Sequence, residues 1–203
     1  MTSWEDKLPP IARERLARAG DVTPEERERM KDSERVDSLL SEFYREGLSS
    51  EGLWAKLRQY VDEGKGHLLT EVQSRLVDSL SLGSNPLEIE KRKTGLVAIE
   101  SLKAEQNTPA LEAGLSLVEE LRRRYGDETQ QVYDRLRAEV EKNPRLRMEQ
   151  VKQGQNTMLV QLTVDEAVKR LPQWGDFLVQ HENRYAEEFS RAIHRLKADL
   201  GLK

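Results

Sequence analysis

Apolar residues recur along this chain at intervals of three and four, the spacing that gathers them on one face of an α-helix. A helix from Pro24 to about Glu46 carries Val36, Leu39, Leu40, Phe43 and Tyr44 on one face. Its first half, Glu25 to Arg35, is almost entirely charged, with Met30 its one apolar residue. Leu53, Trp54, Leu57 and Val61 predict the buried face of the next helix, and Leu69, Val72, Leu76 and Leu80 that of the one after. From Pro86 to about Gln106 the pattern predicts burial of Leu96, Val97, Ile99 and Leu102. Leu111, Leu115, Val118, Leu121 and Tyr125 then follow a nearly heptad rhythm, continued past Gly126-Asp127 by Val132, Tyr133, Leu136 and Val140. One heptad phase cannot be carried across Gly126 without placing Arg135 in the seam. The expectation is therefore an antiparallel, coiled-coil-like helical hairpin that turns at Gly126, with Asp127 and Gln130 offset as a capping box. The cleanest stripe is the last: Trp174, Leu178, Tyr185, Phe189, Ile193, Leu196 and Leu200, on a helix from about Gln173 to Leu200.

Helix starts are marked by a repeated arrangement of cap, proline and acid. It occurs as Thr23-Pro24-Glu25-Glu26, as Asn85-Pro86-Leu87-Glu88 and, more loosely, as Thr108-Pro109-Ala110-Leu111-Glu112. The first residue accepts from an orphan helix N–H, proline gives up a donor that had no partner, and glutamate at the third position closes the box. Ser49, and Thr163 with Glu166, offer further caps. Gly20, Gly47, Gly64 and Gly66, and Gly83 mark stops, the first ending a helix expected over Pro9–Ala19. Between Arg145 and Leu162 the helical pattern fades at Gly154 and Asn156, and Met158–Leu162 fits a short extended segment equally well.

The fold class this predicts is all-α, a multi-helix bundle containing the hairpin. It is organised as a small acidic helical unit over 1–84, then the hairpin and final helix over 85–203, or as one continuous domain. Composition supports helices with much solvated surface: 36% of the residues are hydrophobic and 34% charged, with the two signs interleaved. The net charge of −4 resides in residues 1–84, while 85–203 are balanced, which argues against a broad nucleic-acid footprint. Cysteine is absent, so disulfides, iron–sulfur clusters and thiolate zinc sites are excluded. With no signal-like leader and no apolar run of membrane-spanning length, the expected location is the cytoplasm.

Candidate chemistry is sparse. His181 and Glu188 share a flank of the last helix with Phe177 and Arg184 and could form an acid–base pair. Glu-x-x-His, the metal pattern of ferritin-like bundles, does not occur, and boundary polar residues beside a core stripe are the preferred reading. Gly64-Lys65-Gly66-His67 resembles a phosphate loop only superficially, since no Walker or Rossmann pattern surrounds it. Arg122, Arg123 and Arg124 form one possible anion-binding cluster, and Lys142, Arg145, Arg147 and Lys152 another. Arginines at a helix end also complement the helix dipole. No catalytic residue, cofactor site or metal site is predicted. The expected function is that of a non-catalytic scaffold, adaptor or chaperone-like module with a protein partner. The alternatives are a nucleic-acid-associated regulator using the basic clusters, and an enzyme whose site is assembled from distant polar residues. Trp174, Leu178, Tyr185, Phe189, Ile193 and Leu196 form the expected partner or self-association face, and a homodimer built on that stripe or the hairpin is predicted.

Overall fold

The computed structural model describes residues 9, 23–45, 47–153 and 156–202, with the backbone alone for residues 151–153, 156 and 157. Seven α-helices and one two-stranded antiparallel sheet are present among them. The helices are α1 (Pro24–Tyr44), α2 (Ser50–Asp62), α3 (His67–Asp78), α4 (Pro86–Glu100), α5 (Thr108–Lys142), α6 (Val164–Arg170) and α7 (Pro172–Asp199). A 3-10 turn (Pro144–Arg147) follows α5, and strands β1 (Met148–Gln153) and β2 (Asn156–Gln161) precede α6. The helix expected over Pro9–Ala19 lies, apart from Pro9, outside the described residues. By contacts the chain divides into two compact units, Met1–Leu68 and Leu69–Lys203.

In the first unit, α1 starts where its cap predicts: Thr23 accepts from the Glu26 amide, and the Glu26 carboxylate accepts from the Thr23 amide. Ser49 caps α2 through the Gly52 amide. Val36, Leu39, Leu40 and Phe43 of α1 and Leu53 and Leu57 of α2 are buried, but Trp54 is exposed. After α2 the chain reverses at Gly64, whose φ of 79° lies in the left-handed region. The Lys65 amide reaches back to the Tyr60 carbonyl and the Gly64 amide to that of Val61, the bonding of a Schellman stop.

The second unit is organised by α5 and α7. They run antiparallel: Gly114 of α5 meets Leu196 near the end of α7, and Tyr133 of α5 meets Trp174 at its start. The close crossing has a local cause. A Cβ built at Gly114 would sit 2.5 Å from Leu196 Cδ1 and 3.2 Å from its Cβ. The hairpin expected within 108–142 does not form; α5 is one continuous helix of 35 residues. Gly126 lies within that helix, and a methyl group added there would meet nothing within 4 Å. Asp127 pairs with Arg123 and Gln130 with Asp134, so no cap is made there. The inward-facing positions Leu111, Leu115, Val118, Leu121, Tyr125, Thr129, Val132, Leu136 and Val140 advance by about 3.6 residues per step, the period of a straight helix. The heptad phase fails because the stripe follows 3.6 and not 3.5.

Around this pair, α4 buries Ile89, Leu96 and Ile99 but exposes Val97. It ends at Glu100, earlier than expected, where the buried Glu100 carboxylate collects the Gln73 side chain at 2.7 Å, the Asn107 amide at 2.5 Å and Lys103 at 3.1 Å. Burial alone would raise its pKa, yet these donors hold it below the usual carboxylate range. The same network moves the start of α5. Asn107, not Thr108, takes the cap position, and its side chain donates to the Asp199 carbonyl instead of capping. At the far end, Leu136 and Val140 of α5 pack with Leu162 and with Ala167 and Val168 of α6, flanked by Tyr133, Leu146 and Trp174. The Thr163–Glu166 box opens α6 as predicted.

Candidate functional site

The polar residues singled out on α7 lie in an aromatic seam against α5. His181 is stacked between Tyr125 and Phe177, each with ring centroids 4.7 Å away, and Tyr185 meets it edge-on at 4.7 Å. Trp174 extends the ladder onto Phe177, and Tyr133 closes its end. The imidazole is 1% exposed. Its Nε2 lies 3.1 Å from both the Tyr125 carbonyl and the Thr129 hydroxyl. A carbonyl only accepts, so Nε2 donates, and Nδ1 receives the Arg184 guanidinium at 3.3 Å.

The acid–base pair of His181 with Glu188, the less favoured of the two readings, is not made. Glu188 pairs with Arg124, and the acid facing His181 is Glu128, 3.6 Å from Nδ1. Glu128 also accepts from the Tyr185 hydroxyl at 2.8 Å and from Arg184. Partial burial pushes its carboxyl upward, but these two donors outweigh that and hold it below the ordinary carboxylate range. Burial, and then the bond to Glu128, push the Tyr185 phenol up. Arg124 and Arg184 both lie over the Tyr185 ring, at 5.6 and 4.8 Å from its centroid. Each group answers another, and the arrangement fastens α5 to α7.

Several of the other sequence candidates also sit in internal contacts. Lys65 of the glycine turn bonds Asp32 at 3.1 Å and Glu28 at 2.9 Å, and His67 reaches Asp32 at 3.0 Å. The lysine therefore holds the turn onto α1. Of the arginine run, Arg122 donates to the Ser84 carbonyl, Arg123 pairs with Glu120 and Asp127, and Arg124 pairs with Glu188. In the second cluster Arg147 donates to the Leu162 carbonyl at 2.9 Å, while Lys142 and Arg145 are exposed. The Lys152 side chain lies outside the described residues. In the stripe named as a self-association face, Tyr185, Phe189 and Leu196 are buried within this chain, and Trp174, Leu178 and Ile193 are half-buried. Half of the stripe is thus core of the second unit.

An open apolar surface with its own geometry is the β-hairpin. The strands pair from Met148↔Gln161 to Gln153↔Asn156, and no third strand lies beside them among the described residues. Met158, Leu159 and Val160 are 49%, 64% and 39% exposed. They are consecutive in an extended strand, so they alternate between its two faces and leave both apolar. Its base is anchored through Leu162 in the core, the bond from Arg147 and the Arg170–Glu149 ion pair.

Residues 54–201 match Family of unknown function (DUF6657), and that span is more than half of the chain. The chain belongs to DUF6657. No curated protein and no solved structure matches it. The DUF6657 span runs from Trp54 in α2 past the end of α7, and so takes in both the aromatic seam and the hairpin. Among the described residues no helix is long and apolar enough to cross a membrane.

Sequence reasoning missed two features within that DUF6657 span. Glu128 escaped notice because it is one carboxylate in a charge-rich helix, although its position three after Tyr125 puts it on the tyrosine's flank. The hairpin's exposure escaped notice because Met158-Leu159-Val160-Gln161-Leu162 reads as buried, and only Leu162 is. The available signal was the Gly154-Gln155 pair between two runs of strand length.

Proposed function

We propose that this DUF6657 chain is a non-catalytic interaction protein, a scaffold or adaptor, whose contact surface is the β-hairpin. One observation carries the reading: Met158, Leu159 and Val160 stand in solvent on a strand whose outer edge has no neighbouring strand among the described residues. A two-stranded hairpin is marginal in water and gains stability when its ladder is extended or a face is covered. The conspicuous polar residues of α5 and α7 are used up in holding the helices together, which supports the same reading. A polypeptide adding to the strand edge gains main-chain hydrogen bonds and apolar side-chain contacts together. The test is a photo-crosslinking residue placed at Leu159 and, as control, at the exposed Arg195 on α7, in cells. Polypeptide adducts at Leu159 and not at Arg195 are expected. Equal labelling at both positions, or none at Leu159, would overturn the proposal.

A further inference from the structure

We infer that the polypeptide which adds to the hairpin is a second copy of this chain, joined through the outer edge of β2. This rests on the interaction reading above and names its partner. The hydrogen-bond phase of the ladder is set at its base, where the Leu162 amide donates to the Arg147 carbonyl at 2.7 Å. Narrow and wide pairs alternate in an antiparallel ladder. With the observed register, Glu149 and Val160, and then Val151 and Met158, exchange bonds within the hairpin. The backbone groups of Thr157, Leu159 and Gln161 are therefore turned to the free edge.

That edge is its own complement. When two β2 strands meet antiparallel about a two-fold axis at Leu159, Leu159 bonds Leu159 of the partner subunit, and Thr157 and Gln161 bond Gln161 and Thr157 of the partner subunit. Met158 then lies across from Val160 of the partner subunit, and every central cross-strand pair is apolar. β2 contains no charged residue, so self-pairing sets no like charges opposite one another. β1 contains Glu149 and Lys152, the kind of residue that guards a sheet edge. The charge distribution thus selects β2 over β1. The result is a four-stranded sheet in the order β1–β2–β2–β1, past the size at which a sheet supports itself, with the closed two-fold symmetry commonest among oligomers.

The experiment is sedimentation equilibrium of the full chain, of Leu159→Lys and of Leu159→Pro, with circular dichroism on each. The Leu159 amide points away from β1, so proline there removes an intermolecular bond and leaves the hairpin ladder intact. The native chain is expected to be dimeric at micromolar concentration, and both variants to be at least about tenfold weaker dimers with unchanged helicity. Since the chain has no cysteine, Leu159→Cys gives a second readout. Opposed residues of a bonded pair lie about 5.5 Å apart at Cα, within disulfide reach. Mild oxidation is expected to link Leu159→Cys subunits and to leave Val179→Cys, comparably exposed on α7, unlinked. A native chain that is monomeric at every attainable concentration overturns the inference, as does equal linking at Val179→Cys. If the native chain is monomeric while the photo-crosslinker at Leu159 captures other polypeptides, the pairing fails and the interaction reading stands. Absence of any polypeptide adduct removes both.

Discussion

The seam between α5 and α7 and the β-hairpin are adjacent along the chain and opposite in character. In the seam, ring stacks on ring around His181, and the imidazole nitrogens, the Tyr185 hydroxyl and the Glu128 carboxylate all have partners inside the subunit. In the hairpin, three consecutive apolar side chains face water and an edge of backbone groups has no neighbouring strand among the described residues. The contrast teaches where chemistry-bearing residue types mislead. Histidine, glutamate, arginine and tyrosine clustered on α7 because two long helices had to be fixed in register. The plain Met-Leu-Val-Gln run is the surface left open.

If the seam is core, breaking it costs the fold. Phe189→Glu with Ile193→Glu places two charges against α5, and the loss expected is more than about 3 kcal/mol, read as collapse of the helical circular dichroism signal at room temperature. A largely helical protein carrying both changes would show the stripe to be surface after all.

Glu100 comes next. Its folded-state pKa is depressed, so its contribution is complete above the unfolded value of about 4.3 and is lost as pH falls through the lower folded value. Glu100→Gln is expected to cost about 1–3 kcal/mol near neutrality and to flatten the acid limb of a urea-stability profile below about pH 4.3. An acid limb identical to that of the native chain would remove the network from the account.

Two glycines of one helix sharpen the argument further. Gly114→Ala pushes a methyl into Leu196 and is expected to destabilise by about 1–3 kcal/mol. Gly126→Ala meets open space and is expected to stabilise by about 0.5–1 kcal/mol. Thermal melts of the pair report the difference directly. A gain at Gly114 would mean that α5 and α7 do not approach as closely as described. The smallest effect belongs to the hairpin: the free energy of unfolding of the monomer is expected to change by no more than about 0.5 kcal/mol for Leu159→Lys, measured by urea unfolding under dissociating dilution.

Much of this architecture is legible in the sequence because it rests on local chemistry. Thr23, Ser49, Asn85 and Thr163 cap where their side chains predict, and α7 starts at Pro172, one residue before the expected Gln173. The failures share one cause, tertiary structure overriding local preference. Gly126 looks like a turn, but packing along α5 on both sides carries the helix through it. Thr108 looks like a cap, but Glu100 and Asp199 claim Asn107 first. Of the candidate site, His181 and its neighbours are visible as residues. Their use as a fastener is not, since it depends on Tyr125, Glu128 and Thr129, more than fifty positions earlier.

The most direct measurement of the central claim is amide hydrogen exchange across β2 at two protein concentrations. If two copies join through this edge, the amides of Thr157, Leu159 and Gln161 are protected at high concentration and exchange freely on dilution, while the inward amides of Met158 and Val160 and the α5–α7 helices change little. Edge amides that exchange at the same rapid rate at both concentrations would contradict it.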